Sequence, residues 1–504
     1  MDFSKLPRNP RSPRKTLTLL LSASSAIAVL ILLLFPSRSP PKFSIVIDAG
    51  STGTRIHVFG YKTRPGSATP FEIDLGSTAE MKVRPGLSAF AGDPGRAGES
   101  LRELVEFGRE RVGRGNLGET EIRLMATAGL RMVGDGVKER ILESCRGVLR
   151  GSGFRFRDDW ASVISGSDEG IFAWVAANYA LGTLGGDPLE TTGIMELGGA
   201  SAQVTFVSSE PLPSEYAHVV KFGENTYSLY SNSFLHFGQN VAYHSVQELL
   251  SLRSLESSTE STQGEMFIDP CSPKGYSHNS ISFNNSAGVL SPKVAHASGN
   301  FSGCRSAAFT LLQREKEQCA YQTCHLGSIF MPKLQGKFLA TENFFYTSEF
   351  FELGSTPMLS DFMSAGQQFC GADLLDLKKK YHSLDDEDFP RYCFSSAYIV
   401  ALLHDSFGMS LEDDSRISFV NQIGNFQLDW ALGAFIMQRL SNPTRDHSDW
   451  IYLLRENSVT ALSIVLLSAL LIFAAWSVLR WRKPQTKTVY DLEKGRYIIT
   501  RVNR

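Results

Sequence analysis

Short aliphatic runs and longer periodic segments alternate along the middle of the chain. Apolar runs at 43–47, 56–61 and 122–126 predict strands, and apolar positions at helical spacing over 101–111, 137–149 and 169–184 predict helices. Strands interleaved with helices in this way give an α/β fold, a sheet covered by helices. The pattern restarts at 193 with a strand, a glycine turn and another strand. Two similar lobes are therefore expected across a cleft, 43–185 together with 421–450 as the first and 186–420 as the second. Segment 251–263, rich in Ser, Glu and Thr with no apolar period, predicts an exposed loop. The acidic run 385–388 predicts a solvated turn, and 36–42 a stiff stalk.

Two runs without a charged residue, 16–35 and 459–479, lie near the ends, and each is about the ~20 residues a helix needs to cross a bilayer core. Lys5, Arg8, Arg11, Arg14 and Lys15 precede the first, and Arg480, Arg482, Lys483 and Lys487 follow the second. The positive-inside rule then puts both tails, 1–15 and 480–504, in the cytoplasm and everything between 36 and 458 on the far side. The first run is long for a signal-peptide core, and Phe35-Pro36-Ser37-Arg38 offers no small-x-small exit, so an uncleaved signal anchor is expected. The membrane would be one of the secretory pathway, Golgi or plasma membrane, with the catalytic region lumenal or extracellular.

The tails carry +4 and +6 against a net −2 for the whole chain, which leaves about −12 for the region between. An acidic ectodomain argues against a nucleic-acid partner. An anionic ligand must then be held by backbone amides, particular Arg or Lys side chains, and a cation. Six of the seven cysteines, Cys271, Cys304, Cys319, Cys324, Cys370 and Cys393, cluster in the second half without zinc-ligand spacing. In an oxidising compartment they are expected to form three disulfides, Cys319–Cys324 being the natural local pair, with Cys145 a buried free thiol in a helix. Asn284 and Asn300 begin N-glycosylation sequons.

The segment 45–59, IVIDAGSTGTRIHVF, has a second copy of its logic at 193–206, GIMELGGASAQVTF. Each is an apolar strand ending in an acid, a turn of Gly, Ala, Ser and Thr, and a second apolar strand. Successive N–H groups in such a turn are nearly free of side chains and can wrap a phosphate. In the first cradle Asp48 closes the strand, and Gly50, Ser51, Thr52, Gly53 and Thr54 form the turn. Arg55 can brace the loop or neutralise phosphate charge. In the second, Gly198, Gly199, Ala200 and Ser201 form the turn, Glu196 is the acid, and Gln203 stands just beyond. One such loop is an ordinary hairpin; the matched pair points to one polyphosphate held from both sides, with a metal near the acids.

Two further segments carry polar residues of interest. In 124–133, LMATAGLRMV, Thr127 and Arg131 read either as completing the phosphate site or as a turn and helix start with a surface arginine. In 165–182, SGSDEGIFAWVAANYALG, Ser165 signals a helix start that puts Asp168 and Glu169 in the first turn. Both acids could simply complement the helix dipole. Alternatively, Glu169 could take a proton from water aligned on a terminal phosphorus.

DAGSTGTR, ATAGLR, SGSDEG with AWVAANYALG, ELGGASAQ and the later QLDWALGAF (427–435), in this order, resemble the apyrase conserved regions of the nucleoside triphosphate diphosphohydrolase family, the ecto-apyrases and Golgi nucleoside diphosphatases. The resemblance spans about 44–440. It implies two ribonuclease-H-like lobes of the actin and sugar-kinase architecture around a nucleotide cleft, here flanked by transmembrane helices. It also implies hydrolysis of nucleoside tri- and diphosphates to monophosphate and phosphate, dependent on Ca²⁺ or Mg²⁺. By position, Glu169 matches the family's catalytic base, and Asp48 and Glu196 match the acids that hold the metal's water shell. Ser51 to Thr54 and Gly198 to Ser201 match the phosphate loops, Thr127 and Arg131 the second conserved region, and Gln203 a residue near metal and nucleophile. Tyr398 matches an aromatic that stacks on the base, with Phe350 or Phe351 as its partner. The chain departs from the family at Glu196, where Asp is more usual, and at Ala202, where a hydroxyl is often seen. An exopolyphosphatase with a similar double loop, or a catalytically weak nucleotide sensor of the same fold, are the alternatives.

Overall fold

The computed structural model describes residues 41–63, 71–257, 266–282, 291–314, 316–321, 324–441, 468–469 and 486–501. Within 41–441, strands β1 (Lys42–Ala49), β2 (Thr54–Thr63), β3 (Phe71–Ile73), β4 (Ala79–Val83), β5 (Glu121–Ala126) and β6 (Ala161–Val163) form one sheet in the order β3-β2-β1-β5-β6, with β4 also on β2. β1 runs antiparallel to β2 and parallel to β5. Its Ile45, Val46 and Ile47 are all buried because the sheet is covered on both faces, so the strand reads as a continuous apolar run rather than an alternation. Helices α1 (Arg102–Val112) and α2 (Asp135–Arg150) cover one face, where Leu104, Ile141 and Cys145 pack with Ile45, Ile47 and Ile56.

A second sheet repeats this plan. Strands β7 (Gly193–Leu197), β8 (Ser201–Val207), β9 (Ala217–Phe222), β10 (Asn225–Leu235), β11 (Phe338–Glu342) and β12 (Ile417–Phe419) lie in the order β12-β11-β7-β8-β10-β9. β7 is antiparallel to β8 and parallel to β11, as β1 is to β2 and β5. One face of this sheet packs on Phe301–Leu312 and Asp388–Val400, among other helices.

Between the sheets lie α3 (Gly166–Leu181) and α4 (Trp430–Ser441). Trp174, Val175, Ala176 and Ala177 of α3 are all fully buried, together with Val46 and Phe59 of the first sheet and Ile194 and Leu229 of the second. A helix walled in on every side must be apolar all round, which explains why this segment shows little amphipathic period. The helices touch backbone to backbone at Gly433, where an added Cβ would overlap the Phe172 carbonyl.

Several expectations change in the structure. Helix Gln239–Ser257 runs through most of the segment expected as loop, and Ser251 is buried in it. Its apolar contacts come from elements distant in sequence, so the local composition was misleading. The expected helix at 169–184 begins earlier and stops at Leu181, because Gly182 takes a left-handed conformation at φ 73°. Among the described residues no helix is long and apolar enough to cross a membrane. Except for 468–469, the expected spans 16–35 and 459–479 lie outside the described residues, as do both tails apart from 486–501. Thr486–Asp491 and Arg496–Arg501 form a separate hairpin.

The six clustered cysteines pair as Cys271–Cys304, Cys319–Cys324 and Cys370–Cys393, and Cys145 is a buried free thiol in α2. Asn300 is exposed and caps the helix Phe301–Leu312 through its side-chain oxygen, while Asn284 lies outside the described residues.

Gly433→Ala tests the α3–α4 contact. Forcing the two helices apart is expected to destabilise the protein by about 1–3 kcal/mol, read as a lowered thermal midpoint of the purified chain. An unchanged midpoint would mean that the seam can yield without loss.

Candidate active site

The two glycine turns are built on the same register. The last cross-strand partners are Asp48↔Arg55 and Ala49↔Thr54 in one hairpin, and Glu196↔Gln203 and Leu197↔Ala202 in the other. Each leaves four residues in the turn, and each puts its acid at the equivalent position. The loops face each other: a Cβ built on Gly199 would stand 3.0 Å from Ser51 Oγ and 3.1 Å from Thr52 Cγ2. Only glycine lets the second loop come so near the first.

A cavity of about 110 Å³ lies between them. Its walls include Asp48, Gly50, Ser51, Thr52, Gly53 and Arg55 from the first hairpin. Glu196, Gly198, Gly199, Ala200, Ser201 and Gln203 come from the second, with Thr127 and Glu169 between. Thr54 is not among these residues; it is fully buried at the start of β2, behind the turn. Arg131 also stands outside the wall but supports it. Its Nη2 donates to Glu169 Oε2 at 2.6 Å and lies 3.5 Å from Ser201 Oγ. It is therefore an inward-facing partner of the candidate base, not a surface arginine.

The start of α3 separates its two acids. Ser165 Oγ accepts from the Asp168 N–H at 3.0 Å and donates to Asp168 Oδ2 at 2.7 Å, which ties Asp168 to the cap. Glu169, one residue on, turns inward and is buried. Gln203 Nε2 donates to Ser201 Oγ at 2.8 Å, linking the second loop to its strand.

Residues that the sequence reading did not single out complete the cavity: Lys82, Ala128, Glu342 and Trp430. Glu342 is a non-glycine residue at φ 59°, ψ −124°, held there by its N–H donating to Asn421 Oδ1 at 2.7 Å. Strained backbone of this kind clusters at functional sites. Next to Trp430, Asp429 Oδ2 accepts from Arg55 Nη1 at 2.9 Å and lies 3.5 Å from His57 Nε2, while its Oδ1 accepts from the Ala431 N–H at 2.7 Å. Both residues belong to the QLDWALGAF motif, to which no role had been given.

Five carboxyls thus converge, Glu169 and Glu196 buried and Asp48, Glu342 and Asp429 half-buried. Burial pushes Glu169 above the ordinary glutamate value, although Arg131 and Gln203 favour its charged form. Burial, then repulsion by Asp429 and Glu169, holds Asp48 well above the usual range against the pull of Arg55. Glu196 is raised well above its usual value by burial and by Glu169, Glu342, Asp429 and Asp48. Glu342 is raised by burial and by Asp429. Asp429 would be raised by its burial, but His57, Arg55 and the Ala431 N–H bring it below the usual value.

Asp48 Oδ1 and Glu196 Oε2 are buried and have no hydrogen-bond partner among the described residues. Two orphaned, mutually repelling carboxylate oxygens are the donor set of a hard divalent cation. Among the described residues no group of three or more His, Cys, Asp or Glu is arranged to bind a metal directly. A cation that keeps most of its own waters fits this pair.

Tyr398 is not at the cleft. Its ring is fully buried against Phe394 and its hydroxyl donates to the Phe237 carbonyl at 2.7 Å, so neither face is open to a base. Phe350 is occupied by Tyr392, with ring centroids 3.6 Å apart, and Phe351 packs edge-on to Phe350. The motif resemblance gave Tyr398 its place in the chain but not which way the core turns its ring. The exposed aromatic is instead Tyr346, 42% accessible, which lines a cavity of about 630 Å³ with Phe345, Asn421 and Gln422. Asn421 of this cavity accepts from the N–H of Glu342, a wall residue of the phosphate cavity, so the two cavities adjoin.

Comparison with known proteins agrees with this geometry. The GDA1/CD39 (nucleoside phosphatase) family matches residues 36–447. The chain is 54% identical over 476 residues to "Probable apyrase 6" of Arabidopsis thaliana, covering 92% of this chain and 85% of that protein. It is 29% identical over 483 residues to "Ectonucleoside triphosphate diphosphohydrolase 3" of Mus musculus, covering 90% and 88%. Among solved structures, a nucleoside triphosphate hydrolase from Neospora caninum aligns with a TM-score of 0.62 over 87% of this chain and 100% of that one. At 16% identity this is a likeness of fold.

The raised carboxyls predict an unusual stability profile. A carboxyl raised in the folded state takes up its proton there before the unfolded chain does, so stability grows as pH falls through the raised value. With divalent cations chelated, the thermal midpoint is expected to climb as pH falls through the raised values toward the ordinary carboxylate range. Asp48→Asn is expected to raise the midpoint at the higher pH, by roughly 1–2 kcal/mol of stability, and to flatten the profile. Melting curves followed by circular dichroism decide it; a lowered midpoint would mean that attraction to Arg55 outweighs the repulsion.

Proposed function

The chain belongs to the GDA1/CD39 (nucleoside phosphatase) family, and from that premise we propose that it hydrolyses nucleoside tri- and diphosphates to the monophosphate and phosphate by direct attack of water. The observation that carries this reading is Glu169, buried, raised and held by Arg131 beside a cavity walled by two opposed phosphate loops. A carboxylate raised above its usual value is a better base toward water, provided it stays ionised at working pH. Arg131 and Gln203 keep it so. The amides of the two turns and the Ser201 hydroxyl offer preorganised donors to the terminal phosphoryl group, where charge redistributes during transfer. Water itself is the nucleophile, and no covalent phosphoryl-enzyme is needed.

Five acids around a polyanion would repel it, so a divalent cation is part of the reading. Asp48 and Glu196 would carry Ca²⁺ or Mg²⁺ through water, and the bound ion supplies charge neutralisation for the phosphates. The longer Glu196 sets the second lip about one methylene further out than an aspartate would. Tyr346 offers a face to the nucleobase, and stacking without edge-specific hydrogen bonds tolerates many bases. The repeated sheet topology supports the division into two lobes, 43–185 with 421–450 and 186–420. The three disulfides support an oxidising compartment and hence a lumenal or extracellular ectodomain. In this reading 16–35 and 459–479 anchor it in a Golgi or plasma membrane.

Glu169→Gln is expected to lower kcat by about 10²–10⁴-fold, while a nonhydrolysable diphosphate analogue still binds. Phosphate release from a panel of nucleotides and polyphosphate, with Ca²⁺ or Mg²⁺, is the assay. A variant that kept most of its rate would remove Glu169 from the base role. In wild type the acid limb of the rate profile should fall above the ordinary glutamate value. Arg131→Met should move it higher still, because the lost guanidinium had favoured the charged carboxylate.

A further inference from the structure

The cations around the phosphate cavity are not equivalent. Arg131 is engaged by Glu169 at 2.6 Å and Arg55 by Asp429 at 2.9 Å. Lys82 also lines the cavity, yet among the described residues it makes no ion pair. It lies on β4, directly opposite Arg55 on β2 in the antiparallel register. Like charges at such positions are destabilising. Nor is Lys82 turned away from the loop: a Cβ built on Gly53 would come 2.9 Å from Lys82 Cε, so the lysine stem lies over the first phosphate turn. A residue placed against a like charge and leaning over an anion cradle is set to receive an anion.

The surroundings indicate which part of the substrate this is. The charges that act on Lys82 are those of Arg55, Glu342, Arg84 and Asp48. Arg55, the cross-strand partner of Lys82, pairs with Asp429, and Glu342 on the same wall donates its N–H to Asn421, which lines the cavity of the exposed Tyr346. Glu169 is held instead by Arg131, which also reaches Ser201 of the second loop. Lys82 is therefore on the aromatic side of the cavity, away from the attacking water.

We infer that Lys82 is a substrate-contacting residue whose ammonium meets the nucleoside-proximal phosphate, the portion that departs when water attacks the terminal phosphorus. This rests on the hydrolase reading above. The ammonium complements the charge left on the departing phosphate, and the substrate in turn relieves the Lys82–Arg55 repulsion. Ligand binding and the removal of a local electrostatic fault are then one event.

The test uses the purified full chain and three variants, Lys82→Met, Lys82→Arg and, as a remote charge control, Lys138→Ala. Lys82→Met is expected to raise KM for a nucleoside diphosphate by about tenfold or more, with a smaller fall in kcat. Lys82→Arg should recover most of the loss, and Lys138→Ala should lose nothing. Because the methionine removes a like-charge contact, its thermal midpoint without nucleotide should stay level or rise; a lysine with a merely structural role would give a lower one. Bound nonhydrolysable diphosphate analogue should also shield Lys82 from acetylation, read by peptide mass spectrometry. An unchanged KM with no shielding, or a lowered midpoint that accounts for the loss, overturns the inference while leaving phosphate release by wild type intact. Absence of any nucleotide hydrolysis by wild type would instead overturn the hydrolase reading, and the analogue-shielding measurement would still decide the role of Lys82.

Discussion

The repulsion among Asp48, Glu169, Glu196, Glu342 and Asp429 is the constraint around which the molecule is organised. Bringing five acids out of water is unfavourable, and the chain offsets it with partners drawn from far along the sequence. Arg55 and Asp429 are 374 residues apart and meet at 2.9 Å. Breaking such a pair leaves a buried charge without its counterpart, a larger penalty than the intact pair's net contribution. Helix α4 must therefore return to the first hairpin. It does so by packing on α3, and α3 brings Glu169 at its first turn. One packing arrangement thus delivers both the restraint on Arg55 and the candidate base.

The repeat of sheet topology matters for the same reason. Two hairpins with identical register present two acids and two amide-rich turns in matching orientation, and the packing of the halves turns them face to face. The site is a property of the pairing of the halves; neither hairpin holds a phosphate from two sides alone. Glu342 adds a residue whose backbone is unfavourable by itself and is kept by the bond from its N–H to Asn421.

Much of this was legible in the chain because it was local. A strand, a glycine turn and a strand carry their own register, so the two loops and the positions of Asp48 and Glu196 followed from spacing alone. Ser165 as a cap fixed where α3 begins and put Asp168 and Glu169 in its first turn; only the structure separates them, tying Asp168 to the cap and turning Glu169 inward. What escaped depended on contacts between distant segments. Lys82 is ordinary on a short edge strand until its register with Arg55 is known. Asp429 looks like a helix cap, which it also is. Tyr398 illustrates the opposite error, since a motif gave its place in the chain but not the facing of its ring. The helix at 239–257, which buries Ala242, Val246 and Ser251, was hidden by polar composition because the core it meets is assembled from segments distant in sequence.

The disulfides are distributed unevenly. All three staple residues 271–393, on the side of the second sheet, whereas the first sheet and the seam between α3 and α4 carry none. One jaw of the cavity is thus covalently stiffened and the other is held only by packing. The seam brings backbone against backbone at Gly433, beside the stacked rings of Phe172 and Trp430. The two helices come this close only because position 433 has no side chain, so the spacing of the two jaws depends on a glycine remote from the phosphates.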